Sequence, residues 1–254
     1  MQGPGAGIVE AMTQACFRFH GALERFLAPA HRGRAVWVEC ASVASAKHQI
    51  EALGIPHTEV GLLLINGQAG SLQQRLREGD QVVVHPAMAI ARDEKLPGDL
   101  PIAPPRFVAD AHLGALARRL RMAGFDTLYD NAYADPALAE LANREARFLL
   151  TRDRELLKRR QVVQGCYIHA LRPEAQLSEL FERLALRHWA APFTRCLTCN
   201  AVLQPVALEQ VSERIPVRVR ARHQAFLHCP ACDKLFWEGS HWRAMRERLA
   251  LLGA

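Results

Sequence analysis

Residues 107–130 read FVADAHLGALARRLRMAGFDTLYD, and residues 135–156 read DPALAELANREARFLLTRDREL. Three short apolar runs, Phe107 to Ala109, Phe125 to Tyr129 and Phe148 to Leu150, each lead into an acid: Asp110, Asp130 and Asp153. Helical period separates them. Leu113, Leu116 and Leu120 fall on one face, Arg118, Arg119 and Arg121 fall elsewhere, and Gly124 ends the pattern. Asp135-Pro136 reads as an N-cap followed by proline at the first helical position, opening a helix to about Arg147. A third helix, a short strand from Cys166 to His169 and a helix from Pro173 to about Arg187 follow. The alternation predicts a doubly wound α/β layer, a parallel sheet with crossover helices. In such a sheet functional groups gather beyond the carboxyl ends of the strands, so acids from separate strands can converge there. Mutual repulsion makes an empty carboxylate cluster costly, and divalent cations or protons relieve it. A lone Asp after a strand equally serves as an N-cap or turn residue, so the chemical reading rests on the three together.

The chain has 254 residues, enough for two or three compact units, and half of them are hydrophobic, an ordinary globular composition. No apolar run approaches the roughly 18 residues that cross a bilayer, so no membrane association is expected. The first residues, MQGPGAG, lack a basic segment followed by an apolar one, so neither secretion nor insertion is indicated and a cytoplasmic location is expected. The net charge of +6 is uneven. Residues 1–105 carry 9 Lys/Arg against 10 Asp/Glu, residues 106–190 carry 14 against 11, and residues 191–254 carry 9 against 5. A basic excess in the last two thirds favours a polyanionic partner such as nucleic acid, with solvated arginines on helix faces as the bland alternative.

Residues 91–105 hold four prolines and alternating charges with no apolar period, so they read as a linker. A second break falls near Ala191-Pro192. The expected organisation is therefore a flexible N-terminus (1–12), a first domain (13–90), the linker (91–105), the α/β domain (106–190) and a terminal module (191–254). In the first domain Ala15, Phe17 and Phe19 alternate with polar neighbours, as do Val36 and Val38, the period of a half-buried hairpin. Ser45 is a plausible N-cap for a helix through Ile50 and Leu53 that Gly54 and Pro56 stop. The run Val60 to Ile65 ends in the turn dipeptide Asn66-Gly67, and Gln81 to His85 gives a last strand.

The terminal module carries Cys196-x-x-Cys199 and Cys229-x-x-Cys232, two thiolate knuckles of the kind that closes a tetrahedral structural zinc site. Such a site leaves no open coordination position, which assigns the metal to folding rather than catalysis. Cys16, Cys40 and Cys166 are scattered and read as buried apolar residues. Between the knuckles Val217 and Val219 alternate with Arg218, Arg220 and Arg222, a pattern that predicts a strand with one apolar and one basic face. With Phe236, Trp237 and Trp242 nearby, that face suits bases and phosphates, and the rings suit the module's own core.

The strand order of the first domain resembles the ubiquitin-like β-grasp fold of the small sulfur-carrier proteins. Those carriers end in an activatable Gly-Gly, whereas here the last strand runs into Pro86-Ala87-Met88. From Arg106 onward the motifs already quoted, followed by RCLTCNAVL (195–203), RIPVRV (214–219) and CPACDKLFWEGSHW (229–242), resemble the Mut-seven C-terminal RNase domain family, a branch of the PIN-like nucleases with a zinc-ribbon extension. An N-terminal ubiquitin-like domain accompanies that family.

The resemblance implies a PIN-like parallel sheet with flanking helices and a metal-dependent nuclease, with RNA as substrate and Mg²⁺ or Mn²⁺ at the acids. PIN-like proteins place one Asp after the first strand and another in a Thr-x-Asp motif, here Asp110 and Asp153. Asp135 matches the middle acid, with Asp130 competing, and Glu155 is a fourth candidate. The Glu that toxin-type PIN domains carry on the helix after their first long crossover has no evident counterpart. Arg118, Arg121 and Arg152 are candidates for the phosphate backbone. Two other functions fit the residues: a nucleic-acid-binding protein that cleaves nothing, and an adaptor with a protein partner on its ubiquitin-like domain.

Overall fold

The computed structural model describes residues 12–41, 44–87 and 103–253. The readings made on the first residues and on most of the linker lie outside these. Two compact units divide the chain: Met1–Ala87 with Asp153–Arg160, and Met88–Arg152 with Gln161–Ala254.

In the first unit β1 (Met12–Phe19) pairs antiparallel with β2 (Val36–Ala41), Ala15 opposite Val38 and Phe17 opposite Val36. The alternation does what it predicts: Ala15, Phe17 and Phe19 are buried while Arg18 is exposed. Helix α1 (Ala46–Ala52) is capped by Ser45, whose hydroxyl accepts the His48 N–H at 3.3 Å. Strands β3 (Val60–Ile65) and β4 (Gln68–Ala69) form a hairpin through Asn66 and Gly67, both at positive φ, which the two-residue turn requires. Strand β5 (Gln81–Pro86) runs parallel to β1 and antiparallel to β3, giving the sheet order β2-β1-β5-β3-β4. This is a β-grasp-like sheet.

The second unit opens with β6 (Phe107–Ala109), α2 (Gly114–Met122), β7 (Thr127–Tyr129), α3 (Asp135–Arg144) and β8 (Phe148–Thr151). Helix α4 (Arg154–Lys158) belongs to the first unit, where the Arg154 guanidinium lies 5.0 Å over the Phe26 ring. Strand β9 (Gly165–Tyr167) and α5 (Pro173–Arg183) follow. The four strands are parallel in the order β7-β6-β8-β9, so the crossover helices are required and β6 is central. Phe107, Val108 and Ala109 are fully buried, as a strand covered on both faces should be.

Three expectations shift here. Helix α5 stops at Arg183 because Ala185 turns left-handed, and a short 3-10 turn takes over to His188. The N-cap of α3 is Ala134, so Asp135 and Pro136 are the first two helical residues. The break at 190/191 is no break in packing, since Phe193 stacks on Trp242 at 3.9 Å inside the core that also holds Phe107, Leu120 and Phe181. Gly124 shows how closely the segments approach: at φ +97° it ends α2, and a Cβ there would lie 2.1 Å from the Ala191 carbonyl oxygen.

The remainder consists of β10 (Gln204–Val206), α6 (Leu208–Val211), α7 (Val217–Arg220), β11 (Phe226–His228), β12 (Leu235–Trp237) and α8 (Ser240–Ala250). The basic strand expected at 217–222 is instead the turn of helix α7. Pro216 leads in with its carbonyl accepting the Val219 and Arg220 N–H groups, and β11 is already paired on both sides by β10 and β12.

Candidate functional site

Asp110 sits just past the central strand β6, only 7% exposed. One carboxylate oxygen accepts the Ala111 N–H at 2.6 Å and the other accepts the Thr151 hydroxyl at 2.6 Å. Thr151 ends the neighbouring strand β8 and is fully buried, so the first residue of Thr151-Arg152-Asp153 fixes the acid of the adjacent strand. The sequence marks this threonine only as part of a motif; its grip on Asp110 appears once the strands are paired. A carboxylate offers about four lone-pair directions, so two hydrogen bonds leave Asp110 room for a cation.

The other acids lie in wetter places. Asp130 is exposed, and its side chain accepts the Ala132 N–H at 2.9 Å, the local turn bond typical of Asp. Asp135 is half-buried in the first turn of α3, and Asp153 is the exposed N-cap of α4, accepting the N–H groups of Glu155 at 2.8 Å and Leu156 at 3.3 Å. Glu155 is largely exposed and pairs with Lys158 at 2.8 Å, a contact worth little at the surface. Among the described residues no three carboxylates gather within metal-binding distance; four thiols do.

Arg118 and Arg152 are exposed, but Arg121 is not. It is buried, donating to the carbonyls of Thr127 at 2.9 Å, Leu197 at 3.3 Å and Thr198 at 2.7 Å. Burial pulls its guanidinium below the usual arginine range, partly offset by the attraction of Cys196 and Cys199. A guanidinium committed to three carbonyls is a strut for the cysteine loop and, contrary to the expectation from sequence, is not placed to hold a phosphate backbone.

That loop has a second strut the sequence did not reveal. Asn200 accepts the buried Thr127 N–H at 2.9 Å and donates to Asp126 at 2.7 Å. Asp126 in turn takes two bonds from Arg147, at 2.7 and 3.3 Å. Burial raises the Asp126 carboxyl, but the bonds from Arg147 and Asn200 and the nearby positive charges outweigh it and leave the group below the usual carboxylate range.

The four sulfur atoms of Cys196, Cys199, Cys229 and Cys232 all lie within 4.8 Å of one another. Two pairs, Cys196 with Cys232 and Cys199 with Cys229, stand at 3.5 and 3.3 Å. A zinc ion with bonds of ~2.3 Å to four sulfurs would need separations of about 3.8 Å, so the cluster is compatible with a structural zinc. The knuckles repeat each other. Asn200 and Asp233, each following the second cysteine, are left-handed and donate their N–H to the carbonyls of Cys196 and Cys229, a geometry Asn and Asp tolerate. Burial raises the Cys199 thiol, and burial with the surrounding thiols pushes Cys232 up to about 12, whereas at Cys229 burial is outweighed by neighbouring N–H groups and the Cys199 thiol, which bring it down to about 7. Thiols this close cannot all ionise without a cation among them.

The model of the Mut7-C RNase domain matches residues 105–249, more than half of the chain. This chain belongs to the Mut7-C RNase domain family. The Mut7-C ubiquitin model matches residues 12–92, ahead of the RNase domain. No curated protein matches. Among solved structures, the crystal structure of small archaeal modifier protein 1 of H. volcanii is 19% identical over 29% of this chain and 97% of its own, with a TM-score of 0.24. A second structure of that modifier, from Haloferax volcanii, is 18% identical over 34% of this chain and 99% of its own, again at 0.24. The Mut7-C membership supports a nuclease assignment for the second unit. No helix among the described residues is long and apolar enough to cross a membrane.

Proposed function

We propose that this Mut7-C protein is a metal-dependent ribonuclease that hydrolyses RNA phosphodiester bonds, with Asp110, Asp135, Asp153 and Glu155 as its carboxylates. The observation that carries the reading is Asp110: a nearly buried carboxylate at the carboxyl end of a central parallel strand, oriented by a donor from the next strand. A buried acid held by two donors at that place in a sheet is positioned for ligand chemistry rather than for solvation. Asp153 enters through sequence, two residues past Thr151, and Asp135 through its place at the start of α3. Carboxylate oxygens are the donors Mg²⁺ or Mn²⁺ selects, and such an ion would activate a water and offset charge developing on the phosphate. Arg118 and Arg152, both exposed, are the arginines suited to steer the RNA backbone.

Zinc is the natural metal for four thiolates in two knuckles, and its role is to close the loops that Arg121 and Asn200 brace. A zinc site of four thiolates suits a reducing, cytoplasmic setting. The ubiquitin-like unit is read as a protein-binding module, in keeping with the exposed Trp37 and Leu62 on its sheet. The test is cleavage of labelled single-stranded RNA with Mn²⁺ or Mg²⁺ by the wild type, Asp110→Asn and Asp153→Asn. Loss in both variants is expected, and undiminished cleavage in both would remove the assigned site.

A further inference from the structure

The cysteine module carries a second feature that the ribonuclease reading does not use. A groove of about 740 Å³ runs beside β12 and the start of α8. Arg218, Arg222 and Arg243 line it, all exposed, and no Asp or Glu is among its walls. None of the three forms an ion pair among the described residues, and the adjacent Glu238 is taken by Arg246 at 2.6 Å. The rings of Phe236 and Trp237, both half-buried, form another part of the wall. Positive charge and π faces are thus offered together.

The first turn of α8 opens into the same groove. Gly239 is its N-cap and supplies no side-chain cap, and the first turn contains no acid. The first hydrogen bond of the helix is donated by Arg243 to the Gly239 carbonyl, so helix geometry leaves the preceding N–H groups without internal acceptors at the positive end of the dipole. Trp242, also a wall of the groove, is 9% exposed, and its buried indole N–H has no acceptor. At Gly239 a Cβ would come within 3.2 Å of the Trp237 indole nitrogen, so the bare backbone also leaves that ring edge its space.

We infer that this groove is a subsite for single-stranded RNA: one phosphate sits at the N-terminus of α8 between Arg218, Arg222 and Arg243, and the adjoining base stacks on Trp237. The inference rests on the ribonuclease reading for its substrate class. Stacking tolerates any base and arginines follow the backbone, so the subsite grips the strand without reading sequence.

The experiment measures binding of a short fluorescein-labelled oligouridylate by anisotropy. It uses the full, zinc-loaded chain without Mg²⁺ or Mn²⁺, so that cleavage does not intervene. Trp237→Ala is expected to weaken binding roughly five- to hundredfold, while Trp237→Phe keeps most of the affinity. Arg218→Ala combined with Arg222→Ala should lower the slope of log affinity against log salt by about 0.7, the value for the one phosphate they hold. Zinc content and thermal midpoint equal to wild type establish that each variant is folded. Wild-type affinity in folded Trp237→Ala and in the arginine double variant overturns the subsite. Competition by polyglutamate as effective as by oligouridylate, indifferent to Trp237, makes the groove an acidic-peptide site and also overturns it. If the groove variants lose RNA while no divalent metal gives cleavage, the subsite stands and the ribonuclease reading falls. The reverse result, cleavage dependent on Asp110 with groove variants binding normally, separates the two in the other direction.

Discussion

Replacing Asp126 by Asn removes one negative charge from the bracing network and leaves the shape of the side chain almost unchanged. Asp126 is 19% exposed and Arg147 5%, so solvent does little to soften the loss. Breaking a buried ion pair by neutralising one partner typically costs 3–5 kcal/mol. Arg147 keeps Glu145 at 2.8 Å and the Phe107 carbonyl at 3.2 Å, which places the expected cost at the lower end, about 3 kcal/mol. For a unit of this size that corresponds to a fall in Tm of roughly 6–12 °C. The carboxyl's folded pKa lies below its unfolded value of ~3.9, so its contribution is complete above that value and is lost only as pH falls through the lower folded one. The deficit should therefore be flat between about pH 6 and pH 9. Calorimetry on the zinc-loaded variant checks the size, and a zinc-responsive dye checks the coupling, because Asn200 beside Cys199 exchanges a charged carboxylate acceptor for a neutral amide one and metal release should quicken. A midpoint within 1 °C of wild type, or a deficit that varies across that pH range, would refute the reasoning.

Three further outcomes follow from the same contacts. Thr151→Val deletes the hydroxyl that Asp110 accepts without changing volume; a hydrogen bond to a charged group is worth about 1.5–3 kcal/mol, so calorimetry should show a loss of that size together with reduced RNA cleavage. Gly124→Ala places a Cβ against the Ala191 carbonyl at a left-handed φ, and chemical denaturation should show a loss of roughly 2–5 kcal/mol. Metal analysis of the purified chain should give one zinc, and Cys199→Ser should lower both that content and the thermal midpoint of the second unit, an effect absent if the thiols are unliganded.

Much of the architecture can be read from residues because it follows from local rules. The alternation of Ala15, Phe17 and Phe19, the Asn66-Gly67 turn and the Ser45 cap each act over a few positions, and each appears where the rule puts it. The parallel sheet is legible from three apolar runs spaced by helical period. The cysteine cluster is legible from its paired spacing. What escapes is tertiary. Arg121 looks like one more surface arginine of a helix, yet its acceptors at Leu197 and Thr198 are 76 and 77 residues away. Asp126 and Asn200 carry no motif and acquire their role only when the cysteine loop meets the start of β7. Val217 and Val219 alternate with arginines over too short a stretch to separate a strand from a helical turn, and Pro216 decides for the turn. Asp110 is visible as a strand-end acid, while its partner Thr151 emerges only from the pairing of β6 with β8.

The most direct test of the central claim is single-turnover cleavage of labelled single-stranded RNA by the full chain, titrated with Mn²⁺, in wild type and Asp110→Asn. The account predicts metal-dependent cleavage in the wild type that falls at least about a hundredfold in the folded variant, at unchanged RNA affinity. Cleavage by Asp110→Asn at the wild-type rate and with the wild-type metal dependence would contradict it.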